Sequence, residues 1–473
     1  MPRSTLITRL VVALLVGAAL WYMWIIASPK LEIGGASPDQ QEVGVLQGLT
    51  PRDFGESGTG VVVTAQGTWL VGLVDDEYHT FEPSAERVNL TEQLYGKTPK
   101  APEEQNTYSG YFSRSKPQTT IVSRLEADGQ FKPVAQLSGA ASLVASADGA
   151  RVLLLTDLKR PNGADGQVVF SSDDQGKTWT LLAGELFPAI GGALMLLDPY
   201  FYSKDEVWAW SFPDEIEDES NRVSTGVYYS ADGGLHSTLI TTPHPLVVGG
   251  EYVSGKRPDI KQWHDSNDQV THVLQLDARR AYIWVSQRFW GVAPNDRGDN
   301  VGVSVTTRVE LTRVDGKWQA GAAQREDDLY ITDLANNGAG RVLGLIDHGP
   351  DGQAVVAEMN TTTLAWQPLG DVPNVFSPLA ASTVAQKLWV GRNSLMISTY
   401  SEHHPPRWLY WWGKANISSG AVFYSTNWGQ SWRRLALDGG AHGIRGFDGA
   451  SDRVFWAKQS KLYDVGIHAY GLR

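Results

Sequence analysis

The chain has 473 residues, 42% of them hydrophobic and 19% charged, a balance that supports a large folded core and excludes disorder as a whole. Lys and Arg number 40 against 52 Asp and Glu, a net charge of −12 that repels phosphate backbones and argues against nucleic acid as a partner. The absence of cysteine excludes disulfides, thiol catalysis, Cys-ligated zinc, iron–sulfur clusters and a lipidated cysteine anchor, while 49 Gly and 18 Trp favour tight turns and strands over long helices.

Residues 1–9 carry Arg3 and Arg9, and residues 10–29 hold no charge. That run is long enough to cross a hydrocarbon core of about 30 Å as a helix. The arginines before it and Trp21, Tyr22 and Trp24 at its far end predict a cytoplasmic N-terminus, a single-pass signal anchor in the inner membrane and an extracytoplasmic, periplasmic body. The competing reading is a cleaved signal peptide, but Ile25-Ile26-Ala27 lacks the small-residue pattern of a cleavage site. Residues 30–42 read as a short tether.

From residue 43 onward the chain repeats. Turn-forming residues directly followed by short apolar strands stand at Gly67, Gly149, Asp205, Ala278, Gly338, Asn393 and Asp452, separated by 82, 56, 73, 60, 55 and 59 residues. A period of 55–60 with two long intervals marks a repeat architecture carrying insertions. A second hairpin type alternates with the first, turning at Asp128-Gly129, Asp174 to Gly176, Asp232-Gly233, Asp315-Gly316, Asn360 and Asn427. Two hairpins per unit make a four-stranded sheet, so the pattern predicts an all-β propeller over 43–473, of seven blades with six or eight as alternatives. The last apolar hairpin is followed by too little chain for a second one, and the strand-like Val43–Leu46 segment is placed to close the ring.

Three of the second hairpins share more. Ser172, Asp174, Gly176 and Trp179 fit S-x-D-x-G-x-x-W; Ser425, Asn427, Gly429 and Trp432 fit it with Asn for Asp; Ser230, Asp232 and Gly234 begin it but have Ser237 where Trp is expected. These segments resemble the Asp-box, or BNR, repeat of sialidases, sortilin-like receptors and photosystem II assembly factors. The motif's chemistry is structural: the Asp or Asn side chain accepts N–H groups of its own turn, Gly supplies positive φ, and Trp covers the hairpin.

The resemblance to sialidases implies an arginine triad, a Tyr/Glu pair and an Asp acid/base. Arg52 and Arg87 are the early arginines and neither lies in the expected form, so no catalytic residue is assigned and a sialidase-like glycoside hydrolase is the alternative function. Sortilin-like identity is disfavoured because that family carries a cysteine-rich module. His403 and His404 are adjacent, a poor metal pair on a strand, where neighbours point to opposite faces, and read as exposed. The acidic run Asp214–Glu219 lacks the spacing of a calcium loop. Neither a metal nor a cofactor is implied.

The resemblance to the assembly-factor branch implies a membrane-held, non-enzymatic scaffold that docks another protein; an immunity-type protein that binds an exported toxin shares the same features. A carbohydrate ligand has no support in the sequence. Departures from the period are free to serve binding. They fall near Thr91–Lys116 and within Thr241–Asp268, with Gln287–Asn300 and His403–Arg407 added, and offer Tyr108, Tyr111, Trp263, His264, His403, His404 and Arg407 as candidate binding residues. Trp408, Tyr410 and Trp412 alternate as a strand packed between blades would.

Overall fold

The computed structural model describes residues 11–21, 40–47, 60–75, 87–96, 118–139, 141–146, 148–156, 158, 168–182, 200–211, 226–242, 244–260, 263–292, 300–336, 340–347, 354–376, 382–403, 417–435, 444–461 and 464–472. The first of these segments is a helix, α1, with an exposed apolar surface that includes Leu14, Leu15 and Trp21. No helix among the described residues is long and apolar enough to cross a membrane. Residues 22–29, the rest of the apolar run, lie outside the described residues.

Seven sheets follow one another along the chain. Blade 1 is built from Gly60–Thr64, Gly67–Asp75, Gln118–Leu125 and Phe131–Ser138, and blade 2 from Ala141–Ala145, Val152–Thr156, Val168–Ser172 and Thr180–Leu181. Blade 3 comprises Tyr200–Phe201, Val207–Ser211, Gly226–Ser230 and Thr238–Thr241; blade 4 comprises Trp263–Gln275, Arg280–Val292, Asn300–Val314 and Lys317–Ala320. Blade 5 takes Tyr330–Asn336, Val342–Asp347, Val355–Met359 and Trp366–Asp371, and blade 6 takes Ser382–Val390, Leu395–His403, Ile417–Ser425 and Arg433–Leu435. Each is an antiparallel meander, and each apolar segment picked out by the repeat is the second strand of its blade.

Blade 7 has three strands of its own, Ile444–Asp448, Arg453–Lys461 and Asp464–Gly471. Its fourth and outermost is Gln40–Gln47, antiparallel to Asp464–Gly471 with Gln40 opposite Tyr470 and Gln47 opposite Asp464. The ring is therefore seven-bladed and closed by the N-terminal strand. That strand starts at Gln40, inside the segment read as tether, and a register shift between Glu42 and Gly44 lets both ends pair.

The second strands read as unbroken apolar runs because both of their faces are covered. Val152–Thr156 is buried at every position. Val152 and Leu154 pack with Trp69 and Val122 of blade 1, while Leu153 and Leu155 pack with Val207 and Ala209 of blade 3. Alternate side chains of one strand thus serve opposite neighbours. Blades diverge outward from the axis, and the largest buried side chains, Trp69, Trp208, Trp284 and Trp456, all stand on second strands and fill the seams between them.

The third-to-fourth strand turns of blades 2, 3 and 6 share one network. The hydroxyls of Ser172, Ser230 and Ser425 donate to Asp174, Asp232 and Asn427 at 3.0, 2.9 and 2.8 Å. The same hydroxyls accept the N–H of Gly176, Gly234 and Gly429 at 2.9, 2.8 and 2.8 Å. Asp174, Asp232 and Asn427 in turn accept the N–H groups of Thr178, His236 and Ser431. Partial burial pushes the Asp174 and Asp232 carboxyls up, but these donors outweigh it and hold both below the usual carboxylate range. Gly176 has φ 84, and a Cβ there would stand 3.1 Å from the Trp69 ring, so both conformation and space require glycine. Trp179 is buried and donates to the Gly176 carbonyl; Trp432 is partly buried in the seam between blades 5 and 6.

Each of these turns is also gripped by the preceding blade. Gln175 donates to Gln66 at 2.8 Å; Arg151 holds Asp173 through two contacts and donates to the Asp232 carbonyl at 2.9 Å; Arg341 pairs with Glu358 and lies 3.9 Å from the Trp428 ring. Replacing Ser172 or Ser425 with Ala orphans a buried glycine N–H and is expected to lower the unfolding free energy by about 1–3 kcal/mol each. Denaturant unfolding of either variant checks this, and an unchanged midpoint would show the network to be idle.

The insertion that begins at Thr91 is not a free loop at its start. Val88–Asn89 pairs in parallel with Ala135–Gln136 as a fifth strand of blade 1, and a short helix, α2 (Leu90–Tyr95), follows with Asn89 as its N-cap. Leu90 and Leu94 join the seam between blades 1 and 2, buried Thr91 accepts the Ser138 N–H, and Gln93 donates to the Trp179 carbonyl at 2.7 Å. This stretch clamps two blades together.

Candidate functional site

The meander sorts the connections between two ends of the ring. At one end, the turn end, lie the links from first to second and from third to fourth strand, all short. At the other, the loop end, lie the links from second to third strand and from blade to blade, which include every long interval in the chain. All the candidate binding residues belong to the loop end: Tyr108 and Tyr111 in a connection of blade 1, Trp263 and His264 at the start of blade 4, and His403, His404 and Arg407 where blade 6 turns from its second to its third strand. Tyr108, Tyr111, His404, Arg407 and the Trp408–Trp412 stretch lie outside the described residues.

Among the described residues, blade 4 extends farthest at this end. Its first three strands have 13, 13 and 15 residues against nine in each of the first three strands of blade 6, an excess of four or more residues, or about 13 Å. Trp263 and His264 are therefore strand residues, opposite Gly291 and Trp290, and correct the expectation of a loop. Gln287–Val292 and Asn300 are likewise strand, with Gln287 and Arg288 buried, while residues 293–299 lie outside the described residues. The local reason is that Phe289, Val303 and Val305 gain a core of their own from Val248 and Val253, brought by a short helix, α3 (Gly250–Lys256), in the connection from blade 3. The Gln287 amide fixes that connection by accepting the Val248 N–H and donating to its carbonyl, at 2.8 and 3.2 Å. Tyr252 and Lys256 of α3 both reach Asp327, on a short strand, Gln324–Asp327, that pairs with the third strand of blade 4.

On the side facing blade 5, Arg288 donates to Asp347 at 2.7 Å with the two side chains 10% and 14% exposed, and its guanidinium lies 4.3 Å from the Tyr330 ring. Its Nε is buried without a partner. The cation is neutralised in place, so the group's chemistry is positional: it ties the ribbon of blade 4 to blade 5. Lower in the same seam His272, on the first strand of blade 4, keeps a partly exposed residue surface but a buried Nε2 with no partner. Burial pushes its pKa down to about 4, with Asp333 opposing and Lys387 adding to the shift. Asp333 accepts the Leu334 and Leu388 N–H groups at 3.0 and 2.7 Å, linking blades 5 and 6.

His403, expected in an exposed loop, is buried. It ends the second strand of blade 6 opposite Ile417, 6.1 Å from the Phe376 ring. The exposed-loop reading fails for His403, because the strand runs through it; His404 lies outside the described residues. Among the described residues, no group of three or more His, Asp or Glu is placed to hold a metal ion. Sequence reasoning held Gln287 and Arg288 within a candidate segment without singling them out; the one signal for Arg288 was its place directly before Phe289 and Trp290.

No family model and no curated protein matches the chain. Among solved structures it is similar to the S511A mutant of puromycin hydrolase, at 12% identity over 88% of this chain and 53% of that one with a TM-score of 0.41. It is also similar to the β-propeller domain of the Trilobed protease from Pyrococcus furiosus, at 7% identity over 88% and 96% with a TM-score of 0.44. A third likeness is to oligogalacturonate lyase in complex with manganese, at 9% identity over 93% and 99% with a TM-score of 0.40. The chain spans about half the length of puromycin hydrolase.

Proposed function

We propose that this chain is a membrane-held propeller, lying outside the cytoplasm, whose loop end docks another protein. The observation that carries the reading is the division between the two ends: much of the turn end is taken up by hydrogen bonds and grips between blades, whereas the loop end carries the long connections and the extended ribbon of blade 4. The shared network of the three Ser-x-Asp/Asn-x-Gly turns supports their reading as Asp-box repeats. The uncharged run of residues 10–29, preceded by arginines, supports the anchor. Assembly scaffold and toxin-binding protein are two forms of the same docking role.

The test is affinity capture from the native membrane with the full chain and with Trp263→Ala. The variant is expected to lose about tenfold in affinity for the captured partner, the size of an aromatic anchor at an interface, with its thermal midpoint unchanged. Equal capture removes the blade 4 ribbon from the interface. Turnover of a fluorogenic sialoside by the purified protein, abolished by a single carboxylate change, replaces the docking reading with the hydrolase.

A further inference from the structure

Beyond α1, six large hydrophobic residues among the described ones are exposed, and four of them share one place. Tyr202, Leu235, Leu239 and Val314, between 38% and 43% exposed, all lie at the turn end of blades 3 and 4. Tyr202 is in the first turn of blade 3, Leu235 in its third-to-fourth turn, Leu239 at the start of its outer strand, and Val314 at the last position before the Asp315-Gly316 turn of blade 4. The outer strands of these two blades are neighbours. Blade 3 has Ser237 where blades 2 and 6 have Trp179 and Trp432, and Leu235 and Leu239 stay exposed beside it.

Two further observations indicate what meets this patch. The N-terminal segment enters the ring at Gln40, opposite Tyr470, at the turn end of blade 7. Blades 3 and 4 are the pair farthest from blade 7 around a ring of seven, so the tether and the patch mark opposite rims of one end. The ends also differ in charge. The loop-end connections carry 27 Asp and Glu against 16 Lys and Arg, a balance of −11, whereas the turns carry 11 against 6, a balance of −5. Beside the patch stand exposed Lys204, Arg279, Arg280 and Lys317, among the carboxylates of Asp205, Asp277 and Asp315. Apolar and tyrosine side chains interleaved with lysine and arginine suit a bilayer interface, and anionic headgroups repel the more acidic loop end more strongly than the turn end.

We propose that the turn end of the propeller lies against the bilayer, held by the tether at blade 7 and by Tyr202, Leu235, Leu239 and Val314 at blades 3 and 4, and that the loop end faces away from the membrane. This rests on the anchored reading above and adds the orientation. A cysteine-free chain makes the test direct. Single-cysteine variants of the full chain, Thr238→Cys at the turn end and Glu251→Cys in α3, carry a polarity-sensitive fluorophore in vesicles of mixed phosphatidylcholine and phosphatidylglycerol with a headgroup quencher. Quenching at 238 is expected to exceed that at 251 by about threefold or more. Introducing Leu235→Asp with Leu239→Asp, both at exposed positions, is expected to abolish that difference while the chain still floats with the vesicles.

Equal quenching at the two positions overturns the orientation, and an undiminished difference in the double variant overturns the patch. A label at 238 that is shielded equally in the absence of lipid assigns the patch to a second protein surface instead. Failure of the full chain to float at all removes the anchored reading itself, a result distinct from the others.

Discussion

Asp347→Ala is expected to destabilise the propeller by about 3–5 kcal/mol, because it leaves the Arg288 cation buried without its carboxylate. The pair is the most buried ion pair among the described residues, and the Arg288 Nε already lacks a partner. Stacking on Tyr330 at 4.3 Å supplies far less than a carboxylate does. The double variant Arg288→Met with Asp347→Leu is expected to recover most of the loss, since a buried pair replaced by apolar side chains is often neutral or better. Denaturant unfolding of wild type, single and double variants decides it. A single variant within about 1 kcal/mol of wild type would mean that water reaches the guanidinium and that blade 4 is not tied to blade 5 by charge.

The second large effect is expected on acidification. His272 titrates near 4 in the folded chain against an ordinary 6.5, so between those values the unfolded chain binds the extra proton. Its contribution is fully present above 6.5 and is lost as pH falls toward 4. By about pH 4.5 the loss amounts to about 2–3 kcal/mol. Asp174, Asp232 and Asp277, all held below the usual range, add a loss of the same sign at still lower pH. His272→Leu separates the two, because it removes the imidazole and leaves the carboxylates. Unfolding free energies near pH 7 and pH 4.5 should differ less in the variant than in wild type; equal differences would refute the histidine's share.

Most of the ring was legible because a strand covered on both faces has no alternation to hide. Val152–Thr156 reads apolar throughout, and it is buried throughout. The turns were legible for a related reason, since positive φ at Gly176, Gly233 and Gly429 restricts which residues stand there. What escaped notice were strands that continue in small hydroxyl residues. The second strand of blade 6 reads by pattern only as far as Thr399, yet Ser401 and His403 carry it on, buried. Ser401 accepts the Val375 N–H and bonds with Thr383 at 3.0 Å. Blade 4 extends in the same way through Ser286 and Thr306, 2.9 Å apart. A hydroxyl satisfied inside a seam looks like a loop residue in sequence, and this is why the blade 4 ribbon, the main feature of the candidate site, reads as insertions.

The outer strand of blade 7 comes from Gln40–Gln47 and its partner from Asp464–Gly471, which sets an order of events during synthesis. The segment that closes the ring is among the first described parts of the chain to be made and must wait, unpaired, for more than four hundred residues before its partner exists. Until then blades 1 to 6 present an incomplete arc with open flanks, the kind of intermediate that invites pairing between chains. A chain interrupted anywhere before residue 464 leaves the waiting strand permanently without its register. Completion of this fold is thus a single late event, and quality control acting on it would need to read only whether one strand has found its place.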